Sequence, residues 1–562
     1  FYYNMSNNLE TKCDIDNIMK KTYRVCDFFC GAGGFSEGFR QAGFDVIFSL
    51  DSWKIATETH DINHNNHKCC HLDILKLDTP EKIDEIIPDS EVIVGSPPCV
   101  SFSNSNKSGK ADKTLGIKLI NQYLKIILHK LTKPNSILKY WILENVPNSI
   151  DYIKDSYTAE ELGLNNSLPN LEVPIREILI ASDYGAPQGR KRAIVGNYIT
   201  PNKTHNENNC ITINEIQNVL KSPLNNKLEK FTDPLFPNII LDKDKLTDHF
   251  YDTTIPQCLW ERAKKLKTDH GYMGKMDFPD RTNRLCRTIM ATESYSTREA
   301  IIFPKENSEK EYRGPTIREL SCLMGFPIDY QFKGTHTNKH KQIGNAVCPQ
   351  LSKALGDAIR IKDNMKPKIV NIRYNEDKIT NYNFTKGLFS DYTPKPRKYN
   401  STYHSHVPFI KVGTFRVELD NRESDFDNNK IIWKSYLHKG TGKNAIKLLY
   451  SNNNLTPHIE NNETYKLYIK DINNLLKNKV YNSLIYQKKN CSIDTNDKIH
   501  LSPSDTLESI SKIINKYLND DVKIECKELD NLFKNKKPYK YSLKVLYSLY
   551  SVNKIIELLE KP

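Results

Sequence analysis

The sequence Glu-Val-Ile-Val-Gly-Ser-Pro-Pro-Cys-Val-Ser-Phe-Ser, residues 91–103, decides the fold assignment of this 562-residue chain. Its apolar start is typical of a buried strand. The two prolines end that strand and stiffen the turn, so Cys99 stands after a rigid element and at the mouth of a loop. A thiol in that place suits a nucleophile. A small buried residue that closes a strand is an equally good interpretation of this stretch alone.

A glycine-rich turn follows an earlier apolar strand. Residues 23–39 predict a strand, the turn Cys-Gly-Ala-Gly-Gly at 30–34, and the start of a helix. Glycines let the main chain approach a ligand closely, and a helix N-terminus offers free N–H groups. The next predicted strand, residues 45–51, ends in Asp51. A carboxylate in that position holds ribose hydroxyls in nucleotide-binding α/β folds.

Two further polar sites follow predicted strands. The apolar run 140–143 ends in Glu144, and because parallel strands end in one crevice, we expect Glu144 to lie near Cys99. Arg190 and Arg192 alternate in an extended segment, so we expect both to point to one face. Two guanidinium groups there suit a phosphate or a polarised carbonyl. A solvated basic edge strand is the alternative.

Six motifs occur in a fixed order along the chain. They are Asp27-Phe28-Phe29-Cys30-Gly31-Ala32-Gly33-Gly34 with Asp51, Pro97-Pro98-Cys99, Glu144-Asn145-Val146, Gln188-Gly189-Arg190-Lys191-Arg192, Arg318-Glu319 through Gly325-Phe326-Pro327, and Gly344-Asn345-Ala346-Val347. This set resembles the cytosine-5 DNA methyltransferase family in its unpermuted motif order, over residues 22–362. The resemblance implies an α/β, Rossmann-like fold that binds S-adenosylmethionine and carries an inserted small target-recognition domain. After it we predict a C-terminal α+β extension.

The domain limits follow from composition and from the resemblance. We expect a tail at 1–21, a catalytic domain at 22–196 and 286–362, a target-recognition domain at 197–285, a linker at 363–405 and a C-terminal domain at 406–562. Helical periodicity predicts helices over 118–131, 350–361, 506–518 and 543–559.

The resemblance also implies a cofactor site. The residues expected to contact S-adenosylmethionine are Phe29, Gly31, Ala32, Gly33, Gly34, Asp51, Ser52, Asp73, Ile74, Pro98, Asn345 and Val347. Asp51 would hold the ribose hydroxyls and Asp73 the adenine amino group. Ser52 stands where the family often has an aromatic residue. No metal is expected, because the histidine- and cysteine-containing segment 60–71 is interpreted as a helix-to-strand connection.

The resemblance implies a covalent mechanism. Cys99 would add to C6 of cytosine, Glu144 would share a proton with N3, and Arg190 and Arg192 would hold the cytosine carbonyl, a phosphate or the carboxylate. The base would be flipped out of duplex DNA, and the loop from 100 to 116 would close over it. Residues 197–285 would contact base edges and phosphates.

Composition agrees with a nucleic-acid partner. The formal net charge is +13, which suggests an anionic partner such as nucleic acid, and a generally basic proteome is an equally good explanation. The resemblance implies that this partner is double-stranded DNA. There is no run of ~18 apolar residues that would predict a membrane span. Thirteen scattered cysteines favour reduced thiols. We expect a cytoplasmic prokaryotic enzyme or a viral one, acting as a monomer on DNA, in a protective restriction-modification role beside a cognate restriction endonuclease.

Three alternatives stay open. The first is a tRNA cytosine-5 methyltransferase, and the second is a catalytically silent DNA-binding protein on the same scaffold. The third is a methyltransferase fused to a C-terminal restriction nuclease, for which Glu525 and Lys527, with Asp505 upstream, form a Glu-x-Lys pattern.

Overall fold

A computed structural model describes most of the chain. The described residues are 22–98, 113–206, 208–224, 227–268, 275–306, 308, 310–366, 387–393, 398–408, 410–440, 445–450, 463–477, 479–480, 482–492, 497, 499–518, 522–535 and 537–560. They divide into two compact units, the first formed by 1–263 with 278–391 and the second by 264–277 with 392–562.

The first unit is built on a seven-stranded sheet. Its strands are β1 (Arg24–Phe28), β2 (Asp45–Asp51), β3 (Cys70–His71), β4 (Val92–Gly95), β5 (Tyr140–Asn145), β8 (Ile175–Ile180) and β9 (Lys191–Asn197), with the short hairpin β6 (Ser156–Tyr157) and β7 (Leu171–Glu172) before β8. The spatial order is β3-β2-β1-β4-β5-β9-β8. The first five strands run parallel, and β9 is antiparallel to both of its neighbours. This mixed sheet has the arrangement of a Rossmann-like methyltransferase fold.

Apolar side chains cover both faces of the sheet. In β4, Val92 and Val94 belong to one core cluster and Ile93 to another, because successive strand residues point to opposite faces. In β5, Ile142 and Leu143 divide between the same two clusters. A continuous apolar strand is therefore buried on both sides, as parallel sheets require.

The first unit also contains α-helices. They are α1 (Gly34–Gln41), α2 (Lys54–Asn63), α3 (Pro80–Ile86), α4 (Thr114–Thr132), α5 (Ile213–Leu220), α6 (Gln257–Thr268), α7 (Ile317–Met324), α8 (His336–Asn345) and α9 (Pro349–Lys362), and α6 continues into the second unit. The helices predicted at 118–131 and 350–361 are confirmed as α4 and α9. Helix α9 begins earlier than predicted because Pro349, with its fixed φ, occupies the first turn.

The segment between β9 and α7 contains two small hairpins. These are β10 (Lys230–Thr232) with β11 (Ile240–Asp242), and β12 (Phe303–Pro304) with β13 (Tyr312–Arg313). Ile216, Phe231 and Leu241 belong to the same buried cluster as Leu320 of α7. These residues of the predicted target-recognition domain therefore pack in the same core as α7. The domain limits of 197 and 285 stay a prediction.

The second unit combines sheet and helices. It contains an antiparallel sheet of β14 (His404–His406), β15 (Phe415–Asp420), β16 (Lys434–Lys439) and β17 (Ile446–Leu449), the hairpin β18 (Lys523–Glu525) and β19 (Lys540–Ser542), and helices α10 (Glu463–Leu476), α11 (Ser483–Cys491), α12 (Pro503–Tyr517), α13 (Lys527–Phe533) and α14 (Leu543–Leu559). Helix α14 has the predicted limits, and α12 begins at Pro503 because Ser502 caps it. Over the described residues, no helix has both the length and the apolar character to cross a membrane.

Candidate active site

The glycine turn after β1 has the geometry that only glycine adopts easily. Gly31 and Gly33 have φ values of 54° and 92°, and Gly33 caps α1. A Cβ atom on Gly34 would lie 2.1 Å from the carbonyl oxygen of Val347. The glycine at 34 therefore allows α1 to approach the segment after α8, and the predicted contact residues from the two ends of the domain meet here.

Asp51 is fixed beside this turn. One of its carboxylate oxygens accepts the main-chain N–H of Gly31 at 2.9 Å, and the other accepts that of Trp53 at 2.8 Å. Burial raises the pKa of Asp51. Each oxygen keeps a further lone pair, so the carboxylate can still accept hydroxyl groups of a ligand. The neighbouring Ser52 is exposed.

The remaining predicted cofactor residues have different surroundings. Asp73 is exposed and its side chain accepts the N–H of Leu75. Ile74 is buried in the core, which leaves its main chain to contact a ligand. Asn345 is exposed at the end of α8, as is Pro98 after β4. Phe29 has a φ of 54°, a left-handed conformation that is rare outside glycine.

Glu144 is held by two side chains from neighbouring strands. Ser96, directly after β4, donates its hydroxyl to Glu144 Oε2 at 2.6 Å. Arg192 of β9 places its Nε 2.7 Å from Glu144 Oε1, and both side chains of this pair are less than a tenth exposed. The carboxyl group is therefore fixed at the edge of the sheet where β4 and β5 end. Such a group can share a proton with, or accept hydrogen bonds from, a polar ring.

Asn145 orders the turn that leads to Cys99. Its side-chain amide donates to the carbonyl oxygen of Pro97 at 3.0 Å, while its own oxygen accepts the N–H of Val146. Cys99 itself, and the predicted lid as far as residue 112, lie outside the described residues.

Arg190 has partners other than Glu144. Its guanidinium donates to the carbonyl oxygens of Ile289 at 2.9 Å and Gly344 at 2.8 Å. Gln188 accepts the N–H of Ile289, so both side chains fasten the segments at 289 and 344 to the start of β9. Arg190 precedes that strand, and its hydrogen bonds connect the strand to these two segments. A contact of Arg190 with a phosphate or a cytosine carbonyl stays a prediction.

The histidines of segment 60–71 are hydrogen-bonded within the fold. His60 Nε2 lies 3.0 Å from Ser36 Oγ, and His64 Nε2 lies 3.1 Å from the hydroxyl of Tyr330. Burial lowers the pKa of both imidazoles, so they are neutral at pH 7. Ser36 also donates to the buried carboxyl of Asp27 at 2.6 Å. This polar group joins β1, α1 and α2 next to the glycine turn.

Sequence reasoning missed Ser96 as a functional residue. It precedes two prolines and looks like part of a turn, yet its hydroxyl is the direct partner of Glu144. The available signal was its position at the end of β4, in the same crevice as Glu144.

Comparison with known proteins shows the family. The family model described as C-5 cytosine-specific DNA methylase matches residues 23–360. The type II methyltransferase M1.HphI of Haemophilus parahaemolyticus is 26% identical over 358 residues, covering 61% of this chain and 87% of that protein. The type II methyltransferase M.SsoII of Shigella sonnei is 28% identical over 342 residues, covering 60% and 80%. The solved structure of S. pombe Dnmt2 methyltransferase shares 19% identity and a TM-score of 0.39, covering 61% of this chain and 100% of that one.

The match extends over more than half of the chain and contains both the glycine turn and the Glu144 site. The family uses S-adenosylmethionine as its methyl donor. The carboxylate of Asp51, fixed beside a glycine turn that lets a ligand come close to the main chain, agrees with this. The chain belongs to the C-5 cytosine-specific DNA methylase family and is a DNA cytosine-5 methyltransferase.

Proposed function

We propose that this enzyme methylates C5 of a flipped-out cytosine within a short duplex sequence, through a covalent adduct with Cys99. The observation that carries the proposal is the placement of Glu144. Its carboxyl group is held by Ser96 and Arg192 at the ends of β4 and β5, directly after the strand that leads to Cys99.

The glycine turn and Asp51 are the proposed cofactor cradle. S-adenosylmethionine supplies an electrophilic methyl group when it is bound. Asp51 accepts the ribose hydroxyls, Asp73 accepts the adenine amino group, and the main chain at 31–34 allows close approach. Val347 lies against Gly34, so it and the exposed Asn345 form the opposite wall.

Cys99 and Glu144 divide the chemistry on the base. The Cys99 thiolate adds to C6, forming a carbon–sulfur bond, and the electrons of the C5–C6 double bond become available at C5. Glu144 stabilises the charge that develops at N3 by sharing a proton with it. With the cofactor bound, C5 would take the methyl group as the bond between that carbon and the sulfonium sulfur breaks, which leaves a neutral thioether. A base would then remove the C5 proton. The double bond then re-forms and Cys99 leaves as thiolate.

Arg192 keeps Glu144 in position for this step. The guanidinium is paired with Glu144 Oε1 and Ser96 donates to Oε2, so both oxygens are held in place and each keeps a further lone pair. Arg190 contributes indirectly, because it fastens the segment at 344, next to Asn345, to β9.

The biological role we propose is protection of a short DNA site against a cognate endonuclease. M1.HphI and M.SsoII, two of the proteins named above, are type II methyltransferases, which supports this role.

The enzyme takes its target base out of the duplex, because C6 is inaccessible to a thiol inside stacked base pairs.

Trapping with 5-fluorocytosine tests the covalent step. Fluorine at C5 cannot leave as a proton does, so the adduct should persist after methyl transfer. We expect the full chain to form a complex with 5-fluorocytosine plasmid DNA that survives denaturing electrophoresis and requires S-adenosylmethionine. Cys99→Ser should form none, while Cys258→Ser, at an exposed cysteine, should match the wild type. Equal trapping by Cys99→Ser would exclude Cys99 as the nucleophile.

A further inference from the structure

The sheet of the second unit brings two imidazoles and a carboxylate together. Within the part of the chain that the structure describes, His406, Glu418 and His438 each place a ligand atom within 4.8 Å of the other two. They lie on the adjacent strands β14, β15 and β16. His406 is directly opposite Glu418, and His438 is opposite Arg416, two residues from Glu418. All three therefore project from the same face of the sheet.

The other face of this sheet is apolar. Val417, Leu419 and Leu437 alternate with the three polar residues and belong to the core cluster of the second unit. The polar face is nevertheless well covered, since Glu418 is 4% exposed and His438 is 7% exposed. A buried carboxylate beside two imidazoles needs a specific arrangement of partners.

The histidines face one oxygen of the carboxylate. Glu418 Oε2 lies 3.7 Å from His406 Nε2 and 3.1 Å from His438 Nε2. The buried His438 Nε2 has no hydrogen bond of acceptable geometry despite its short distance to Glu418. A buried polar atom without a hydrogen-bond partner destabilises the folded state. A bound cation would satisfy it.

The other oxygen of Glu418 is occupied. Glu418 Oε1 accepts Lys447 Nζ at 2.7 Å and an Arg422 nitrogen at 3.1 Å. These two bonds fix the carboxylate so that Oε2 points at the imidazoles. Outer groups that orient a ligand in this way are usual around protein metal ions.

We propose that His406, Glu418 and His438 bind one divalent first-row transition-metal ion, with Zn²⁺ as the preferred ion. Imidazole ligands favour zinc, iron, cobalt or nickel over Mg²⁺ and Ca²⁺, which prefer oxygen ligands. Two atoms that share a zinc ion at about 2.1 Å can be at most about 4.2 Å apart, and both distances from Glu418 Oε2 meet this limit. Three protein ligands leave a coordination position open. The side chain of His406 is 32% exposed, which gives solvent access to the open coordination position.

Cobalt titration of the full chain tests this site. Co²⁺ in a low-symmetry site of nitrogen and oxygen ligands gives visible absorption bands, and Zn²⁺ should displace it. We expect one equivalent bound with no thiolate-to-cobalt charge-transfer band. His406→Ala, His438→Ala and Glu418→Gln should each weaken binding at least tenfold. His500→Ala, which removes an imidazole paired with Asp497 in the same unit, should bind as the wild type does.

Several results would overturn the proposal. The wild-type chain could give no visible bands with Co²⁺, or it could give a thiolate charge-transfer band. The three variants could also bind Co²⁺ as tightly as the wild type. Glu418→Gln keeps the side-chain shape, and circular dichroism checks that each variant is folded. The wild-type spectrum is decisive even if a variant does not fold. The metal takes part in no step of methyl transfer, so this test and that of the proposed function fail independently.

Discussion

At the residue scale, Glu144 is the clearest link between structure and chemistry. It is buried, paired with Arg192 of β9 and hydrogen-bonded to Ser96, which directly follows β4. The carboxyl group is thus oriented before any base arrives, and in the mechanism we propose this reduces the reorganisation needed in the transition state.

Replacing Glu144 with Gln should slow methyl transfer about 100-fold or more, because the amide cannot share a proton with N3. Cofactor binding should stay within twofold, since Asp51 and the glycine turn are unchanged. Single-turnover methylation and calorimetric titration with S-adenosylmethionine measure the two effects. Glu160→Gln, at an exposed position, is the control. Equal single-turnover rates for Glu144→Gln and the wild type would remove Glu144 from the mechanism.

Asp27 predicts a pH dependence of stability. Burial raises its pKa to about 7, from 3.8 in the unfolded chain. Between these values the folded state holds a proton that the unfolded state has released, so the free energy of unfolding falls as pH rises from about 4 to 7. The loss attributable to Asp27 is on the order of 4 kcal/mol.

The variant Asp27→Asn should lack this contribution. Between pH 5 and pH 8, the urea concentration at the midpoint of unfolding should fall less for the variant than for the wild type. Parallel behaviour of the two proteins would show that Asp27 is ionised throughout and would contradict the raised pKa.

At the element scale, helix α1 lies close to the segment after α8, and this contact is part of the proposed cofactor cradle. Gly34 makes this contact possible, and Gly325 ends α7 with a φ of 99°. At Gly34 the main chain of α1 packs directly on the main chain at Val347, so no side chain there could rotate to make room for a larger residue.

Gly34→Ala should therefore weaken S-adenosylmethionine binding at least tenfold. The added methyl group would lie 2.1 Å from a main-chain oxygen, and the two segments must separate to admit it. Gly189→Ala is a matched control, because a Cβ there has no atom within 4 Å. Calorimetric titration of both variants makes the comparison. Wild-type affinity in Gly34→Ala would contradict the closed cradle.

The sequence predicted the elements better than their side-chain partners. The strand before Cys99 follows from the hydrophobic pattern. The place of Glu144 at the end of the neighbouring strand follows from the rule that parallel strands end in one crevice. The bonds of Arg190 to Ile289 and Gly344 could not be predicted, because they join segments about 100 and 154 residues away. The same limit applies to His406, Glu418 and His438, which only strand pairing brings together.

At the scale of the whole molecule, the chain consists of two compact units with separate cores. The family match ends at residue 360, so most of the second unit lies beyond it. The formal net charge of +13 suits a polyanionic substrate.

Binding to duplex DNA should weaken steeply with salt, because lysine and arginine displace counterions from phosphates. We expect the logarithm of the association constant to fall linearly with the logarithm of the KCl concentration. Fluorescence anisotropy with a labelled duplex, in potassium glutamate as well as chloride, measures the slope. A slope near zero would contradict an electrostatic contribution to DNA binding.

The central claim is most directly tested by methylation-resolved sequencing of plasmid DNA from cells that express the full chain. The account predicts 5-methylcytosine at one short sequence motif, and none in cells that express Cys99→Ala at the same soluble level. Absence of 5-methylcytosine with the soluble wild-type protein, or its persistence with Cys99→Ala, would contradict the account.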